Sequence, residues 1–155
     1  MKIWSKAFEE VGKIPLKYTC HGQDISPPIS ISDVPVNTQS LALILVDPDA
    51  PSGKFVHWVV YNIPPDIMEL NENIEKIEKL DNGIIQGIND FGRIGYGGPC
   101  PPFGTHRYYF KLYALDTRLK VLSGIRETDL LKVIFHHNIA ESHFKGIYGK
   151  QTQKV

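Results

Sequence analysis

The chain has 155 residues, 42% apolar and 22% charged, and its 17 basic residues balance 17 acidic ones. That fits one globular domain, residues 1–155, with one core, and the lack of a basic excess or basic cluster argues against nucleic acid as a partner. The N-terminal "MKIWSKAFEEVGKIPLKY" lacks the apolar core of a signal peptide, and no apolar run reaches the ~18 residues of a transmembrane segment, so a cytoplasmic location is expected. In that compartment Cys20 and Cys100 are expected as reduced thiols, although nothing in the sequence keeps them apart.

Thirteen glycines and eleven prolines punctuate short apolar runs, the spacing of a β-rich sandwich or barrel. "SLALILVD" (Ser40–Asp47) and "FVHWVVYNI" (Phe55–Ile63) are apolar at both parities and read as central strands covered on both faces. From Asp66 to Leu80, Ile67, Leu70, Ile74 and Ile77 fall at roughly helical spacing, but Asn71 and Asn73 interrupt them, and an irregular excursion reads equally well. "HRYYFKLYAL" (His106–Leu115) alternates, placing His106, Tyr108, Phe110, Leu112 and Ala114 inward and Arg107 on the opposite side. Thr128 is placed to cap a helix from about Asp129 to about Phe144, with Leu130, Leu131, Ile134, Phe135 and Ile139 on its apolar face.

Chemistry concentrates in three places. In "VDPDAPS", Pro48 and Pro51 lack a ladder N–H, so the strand ends there with Asp47 and Asp49 at its mouth. The competing reading is a plain Asx turn with solvated carboxylates. His57 shares the parity of Phe55, Val59 and Tyr61, as a core histidine would. It also follows the Asp47–Asp49 loop closely, so that a carboxylate can fix one ring nitrogen and leave the other for a ligand. In "YGGPCPPFGTHRY", Gly97 and Gly98 permit positive φ and an anion-binding nest of N–H groups, the prolines stiffen the loop, and His106 opens the next strand facing inward. Together these imply a small pocket at one end of a sandwich, suited to a phosphate monoester or diester, especially one bearing an amine.

"DPDAPS", "FVHWVVYNIP" and "GYGGPCPPFGTHRYYFKLYALD" resemble the phosphatidylethanolamine-binding protein (PEBP) family, also called Raf kinase inhibitor-like proteins, and most closely its bacterial and archaeal YbhB/YbcL-type branch. "YTCHGQDISPPISISDVP" resembles that branch's N-terminal segment, so the likeness runs from about Ile14 to about Gly146. It implies a mostly β fold: a sandwich of two antiparallel sheets with Greek-key connections and a C-terminal helix. It also implies an anion pocket formed by Asp47, Asp49, Ala50, Pro51, His57, Gly98, Pro99, His106 and Tyr108, with a cis peptide before Pro51. The expected function is non-enzymatic binding of a phosphate-bearing small molecule or lipid headgroup, with no cofactor and no metal. A kinase or peptidase is the expected kind of protein partner, and a homodimer the expected assembly. The alternative is a metal-dependent hydrolase using His57, His106 and an aspartate.

Overall fold

A strand that is apolar at every position needs cover on both faces, and the fold supplies it. The computed structural model describes residues 1–120 and 124–149. The described strands are β1 (Lys2–Trp4), β2 (Ile29–Ser32), β3 (Ser40–Asp47), β4 (Phe55–Ile63), β5 (Glu69–Leu70), β6 (Ile85–Gln86), β7 (Thr105–Leu115) and β8 (Asn138–Gly149), with helix α1 (Glu127–His137) before the last strand. They form two antiparallel sheets, one in the order β1-β2-β5 and the other β6-β4-β3-β7-β8. No described helix is long and apolar enough to cross a membrane.

One face of the larger sheet packs Leu43, Leu45, Trp58, Val60, Phe110 and Leu112 against Ile3, Ile29 and Ile31 of the smaller one. Its other face packs Ala42, Ile44, Val59 and Tyr61 against Leu130 and Ile134 of α1. The doubly apolar reading of β3 and β4 thus reflects sheet against sheet on one side and sheet against helix on the other. The parity expected for β7 holds: His106, Tyr108, Phe110, Leu112 and Ala114 are all buried.

The helix departs from expectation. It begins one residue before Thr128 with Arg126 at the N-cap position, no side chain caps it, and it stops at His137. From Asn138 the chain runs as a 12-residue strand against β7. Helical spacing loses here because Phe144 is needed in the inter-sheet core, its ring tilted against Phe8 at a centroid distance of 5.2 Å, while Phe135 is 82% exposed on α1.

The stretch from Asp66 to Leu80 is the irregular excursion, apart from the two residues of β5. Its backbone bonds outward rather than along itself. The Asn73 and Ile74 N–H groups donate to the carbonyl and hydroxyl of Ser26, and the Gln86 amide donates to the carbonyls of Glu75 and Ile77.

Segment 10–14 lies along the outer edge of β8: Lys13 bridges Ile147 in parallel, and Val11 N–H donates to the Lys145 carbonyl. The expectation of reduced thiols is overturned, since Cys20 and Cys100 form a disulfide with their Cα atoms 5.4 Å apart. The cis peptide expected before Pro51 is overturned too, as the described peptide bonds are trans. Pro51 occupies the second position of a turn closed by the Gly53 N–H on the Ala50 carbonyl (2.8 Å), a place where a trans proline fits without strain.

Candidate functional site

β3 carries Asp47 to the end of the larger sheet, and Pro48 stops the ladder there. The Asp47 carboxylate is 3% exposed and has two jobs. Its Oδ1 accepts the Asp49 N–H at 2.8 Å, the Asx turn of the plainer reading. Its Oδ2 accepts Nδ1–H of His106 at 2.6 Å, across from the neighbouring strand β7. The turn of the plainer reading is present, but its solvated carboxylate is not: one oxygen of the buried Asp47 makes the turn and the other bonds the histidine.

Asp49 turns away from its neighbour. It accepts the backbone N–H of Arg107 at 2.9 Å and two guanidinium N–H groups at 2.9 and 2.7 Å. The guanidinium holds the Asp49 pKa down to about 2. Arg107 is an ion-pairing residue on the outer side of β7, as its parity implies.

His57 is held differently from expectation. No carboxylate bonds its ring. Nδ1 meets the carbonyl of Gly97 at 2.7 Å, and a carbonyl carries no hydrogen, so Nδ1 must be the donor. Phe55, Phe91 and Tyr108 surround the ring at centroid distances of 4.9, 5.5 and 5.4 Å. Burial pushes the His57 pKa below its ordinary 6.5, against smaller upward pulls from the Gly97 carbonyl and Asp47.

A pH dependence of stability follows. Below about pH 6.5 the unfolded chain takes up a proton that folded His57 resists, so the contribution of His57 to stability falls as pH falls through that range. Urea midpoints between about pH 7.5 and pH 5.5 should decline less steeply for His57→Gln than for the parent. An equal decline would show that other groups govern acid sensitivity.

Tyr108 stands between the two histidines, nearly parallel to His106 at 6.4 Å. Its hydroxyl is buried and has no partner among the described residues. Burial pushes the phenol pKa upward, so it stays an O–H donor.

The glycine loop works through close approach, not through positive φ or a nest. Neither Gly97 nor Gly98 has positive φ. A Cβ on Gly97 would lie 2.4 Å from the Phe91 ring, and one on Gly98 would lie 2.4 Å from the Tyr18 carbonyl oxygen. Their amides are also taken: Gly97 N–H donates to the His57 carbonyl at 2.9 Å and Gly98 N–H to Asp24 Oδ1 at 2.7 Å. The expected anion nest is therefore overturned.

These groups surround a pocket of about 300 Å³. Asp47, His57, His106 and Tyr108 line it, as do Ala50 and Pro51, whereas Asp49, Gly98 and Pro99 do not. The walls also include Phe55, Phe91, Cys100, Pro101 and Pro102, which the sequence reading did not place among the ligand-binding residues. Phe55 shares the parity of His57 and could have been found that way. Phe91 reaches the pocket from an irregular loop that no periodicity marks. The disulfide fixes Cys100 in this wall, and the Cys20 N–H on the Pro99 carbonyl at 3.1 Å reinforces it.

The donor set does not fit a metal-dependent hydrolase. Among the described residues, the one triplet of metal-ligating atoms within 4.8 Å of one another is Cys20, His21 and Cys100, whose two sulfurs are bonded to each other. Asp47, His57 and His106 form no such triplet.

Residues 4–149 match the family model described as "Phosphatidylethanolamine-binding protein". A UPF0098 protein of Methanothermobacter thermautotrophicus is 49% identical over 148 residues, covering 96% of this chain and 98% of its own length. A Chlamydia trachomatis crystal structure described as a phosphatidylethanolamine-binding protein homologue superposes with a TM-score of 0.89 at 42% identity, covering 96% of this chain and 97% of that one. Escherichia coli YbcL, described as a new member of the mammalian PEBP family, superposes with a TM-score of 0.89 at 32% identity, covering 97% of this chain and 98% of that one.

Proposed function

This chain belongs to the phosphatidylethanolamine-binding protein family, and on that premise we propose that its pocket binds the phosphate group of a small molecule or lipid headgroup without catalysing a reaction. The observation that carries the reading is the buried Tyr108 hydroxyl without a partner, set between His57 and His106 at a pocket of headgroup size. A buried hydroxyl left unbonded costs about 1–3 kcal/mol, which a ligand oxygen would recover. Each histidine has Nδ1 committed to an internal acceptor, which fixes the ring and leaves Nε2 for the ligand. Phe55, Phe91 and the prolines supply apolar walls for the atoms next to the phosphate, and Phe55 and Phe91 can face an ammonium group such as that of phosphoethanolamine.

An NMR titration of the histidine ring signals with phosphoethanolamine tests this. His57 and His106 should shift together and saturate while the other four histidines do not. A response confined to other histidines, or none up to millimolar ligand, would remove the pocket from consideration.

A further inference from the structure

We propose that phosphate binds here only together with a proton, so that the pocket takes phosphomonoesters and inorganic phosphate as monoanions in preference to phosphodiesters; this rests on the reading of the pocket as a phosphate site. The argument begins with where hydrogens must be. Nδ1 of His57 faces a carbonyl and carries the hydrogen, so the neutral ring offers a lone pair at Nε2. Nδ1 of His106 faces the Asp47 carboxylate and donates as well, so neutral His106 also offers a lone pair at Nε2. An unprotonated pair of histidines therefore presents two acceptors to a ligand that itself consists of acceptors.

No standing cation compensates. Among the described residues, neither Lys nor Arg lines the pocket. Arg107 is next to His106 in sequence but is committed to Asp49 through its backbone and its guanidinium. The amides of Gly97 and Gly98 are likewise taken. The Ser52 hydroxyl donates to the Lys54 carbonyl at 3.3 Å. Among the described lining side chains, the donor that remains without protonation is the Tyr108 hydroxyl.

The charges facing the two rings are negative or neutralised. Asp47 and Asp90 face His57. Asp47 bonds His106, and Asp49, already paired with Arg107, lies close by. On β8 the residue opposite His106 is Tyr148, an uncharged phenol whose hydroxyl meets Nδ1 of His21 at 2.7 Å. A phosphate dianion entering such a site would meet two lone pairs and a carboxylate.

One proton removes the conflict at His57. Placed on the phosphate, it gives a P–O–H group that donates to Nε2 of His57, the ring that resists protonation because it is buried. The remaining charge accepts from the Tyr108 hydroxyl, and a second proton, on Nε2 of His106 across the ring from the Asp47 carboxylate, supplies a further donor. A phosphomonoester, with its second pKa near about 6, supplies this form readily. A diester has no such hydrogen and leaves the His57 lone pair unmatched.

Methyl phosphate and dimethyl phosphate differ by one methyl group, carry no amine, and isolate this point. The experiment is calorimetric titration of the disulfide-bonded protein with each, at about pH 7.5 and pH 6.5, in buffers of different ionisation enthalpy. The dependence of heat on buffer counts the protons taken up. For methyl phosphate we expect about two protons taken up at pH 7.5, one on the phosphate and one on His106, an affinity that rises at least about tenfold on going to pH 6.5, and dimethyl phosphate at least about tenfold weaker at that pH. Methyl phosphate bound with no proton uptake overturns the proposal. Equal affinity for the two esters overturns the role given to His57. No binding of methyl phosphate at pH 6.5 overturns the phosphate reading itself, and this proposal with it.

Discussion

Replacement of both Cys20 and Cys100 by Ala will lower the unfolding free energy by about 4 kcal/mol. The bridge joins positions 80 residues apart, so it removes a large part of the freedom of the denatured chain. The loop it closes contains β2 to β6, including Asp47 and His57, while His106 and Tyr108 follow just beyond it. Urea denaturation of the double variant, and of the parent with and without a dithiol reductant, measures the effect. A change below about 1 kcal/mol would mean that the denatured chain holds these segments together without the bridge. The pocket has a stake in the result, because Cys100 is part of its wall. The double variant should therefore bind phosphate ligands more weakly at temperatures where it is still folded.

His106→Ala is expected to lose both affinity and stability, through different atoms. The lost affinity comes from Nε2, and removing a charge-assisted hydrogen bond of about 1.5–3 kcal/mol weakens phosphoethanolamine binding about 10- to 100-fold. The lost stability comes from Nδ1, because the Asp47 carboxylate, 3% exposed, is left without its histidine. Breaking a buried pair from one side costs about 3 kcal/mol. Adding Asp47→Asn to His106→Ala removes the orphaned charge and should restore part of the stability while leaving the affinity low. If the single variant is as stable as the parent, Asp47 is adequately satisfied by the Asp49 N–H alone and the pair is not structurally important. If affinity returns with stability in the double variant, His106 acts on binding through the fold and not by contact.

Much of this site was legible because its residues sit on strands. Period-2 alternation placed His106 and Tyr108 inward and Arg107 outward on β7, and burial agrees at each. Pro48 told where β3 had to stop, which put Asp47 at the pocket. Three of the misreadings share a cause: they concern partners that come from elsewhere in the chain. The amide of Gly98 is taken by Asp24, 74 positions away, and nothing local in "YGGPCPP" announces it. His57 bonds Gly97, 40 positions away, in place of the nearby carboxylates. The disulfide is likewise a long-range fact, and the compartment argument that made the cysteines thiols had no access to it. The helix ran too long on paper because Ile139 and Phe144 satisfy a 3.6-residue repeat as well as a strand. Only the demand of β7 for a neighbour decides between them.

Segment 10–14 along β8 bears on self-association. A five-stranded sheet ends in two open edges, each able to recruit a strand from another molecule. One edge, β6, is two residues long and too short to template much. The other is the 12-residue β8, and its half near Lys145 and Ile147 is already occupied by bonds from Val11, Glu10 and Ile14. The half left open carries Glu141, Ser142 and His143, polar side chains that disfavour the dry pairing of like strands. The N-terminal segment thus acts as a guard against edge-to-edge aggregation, and a chain truncated before Lys13 would expose the outer backbone of β8.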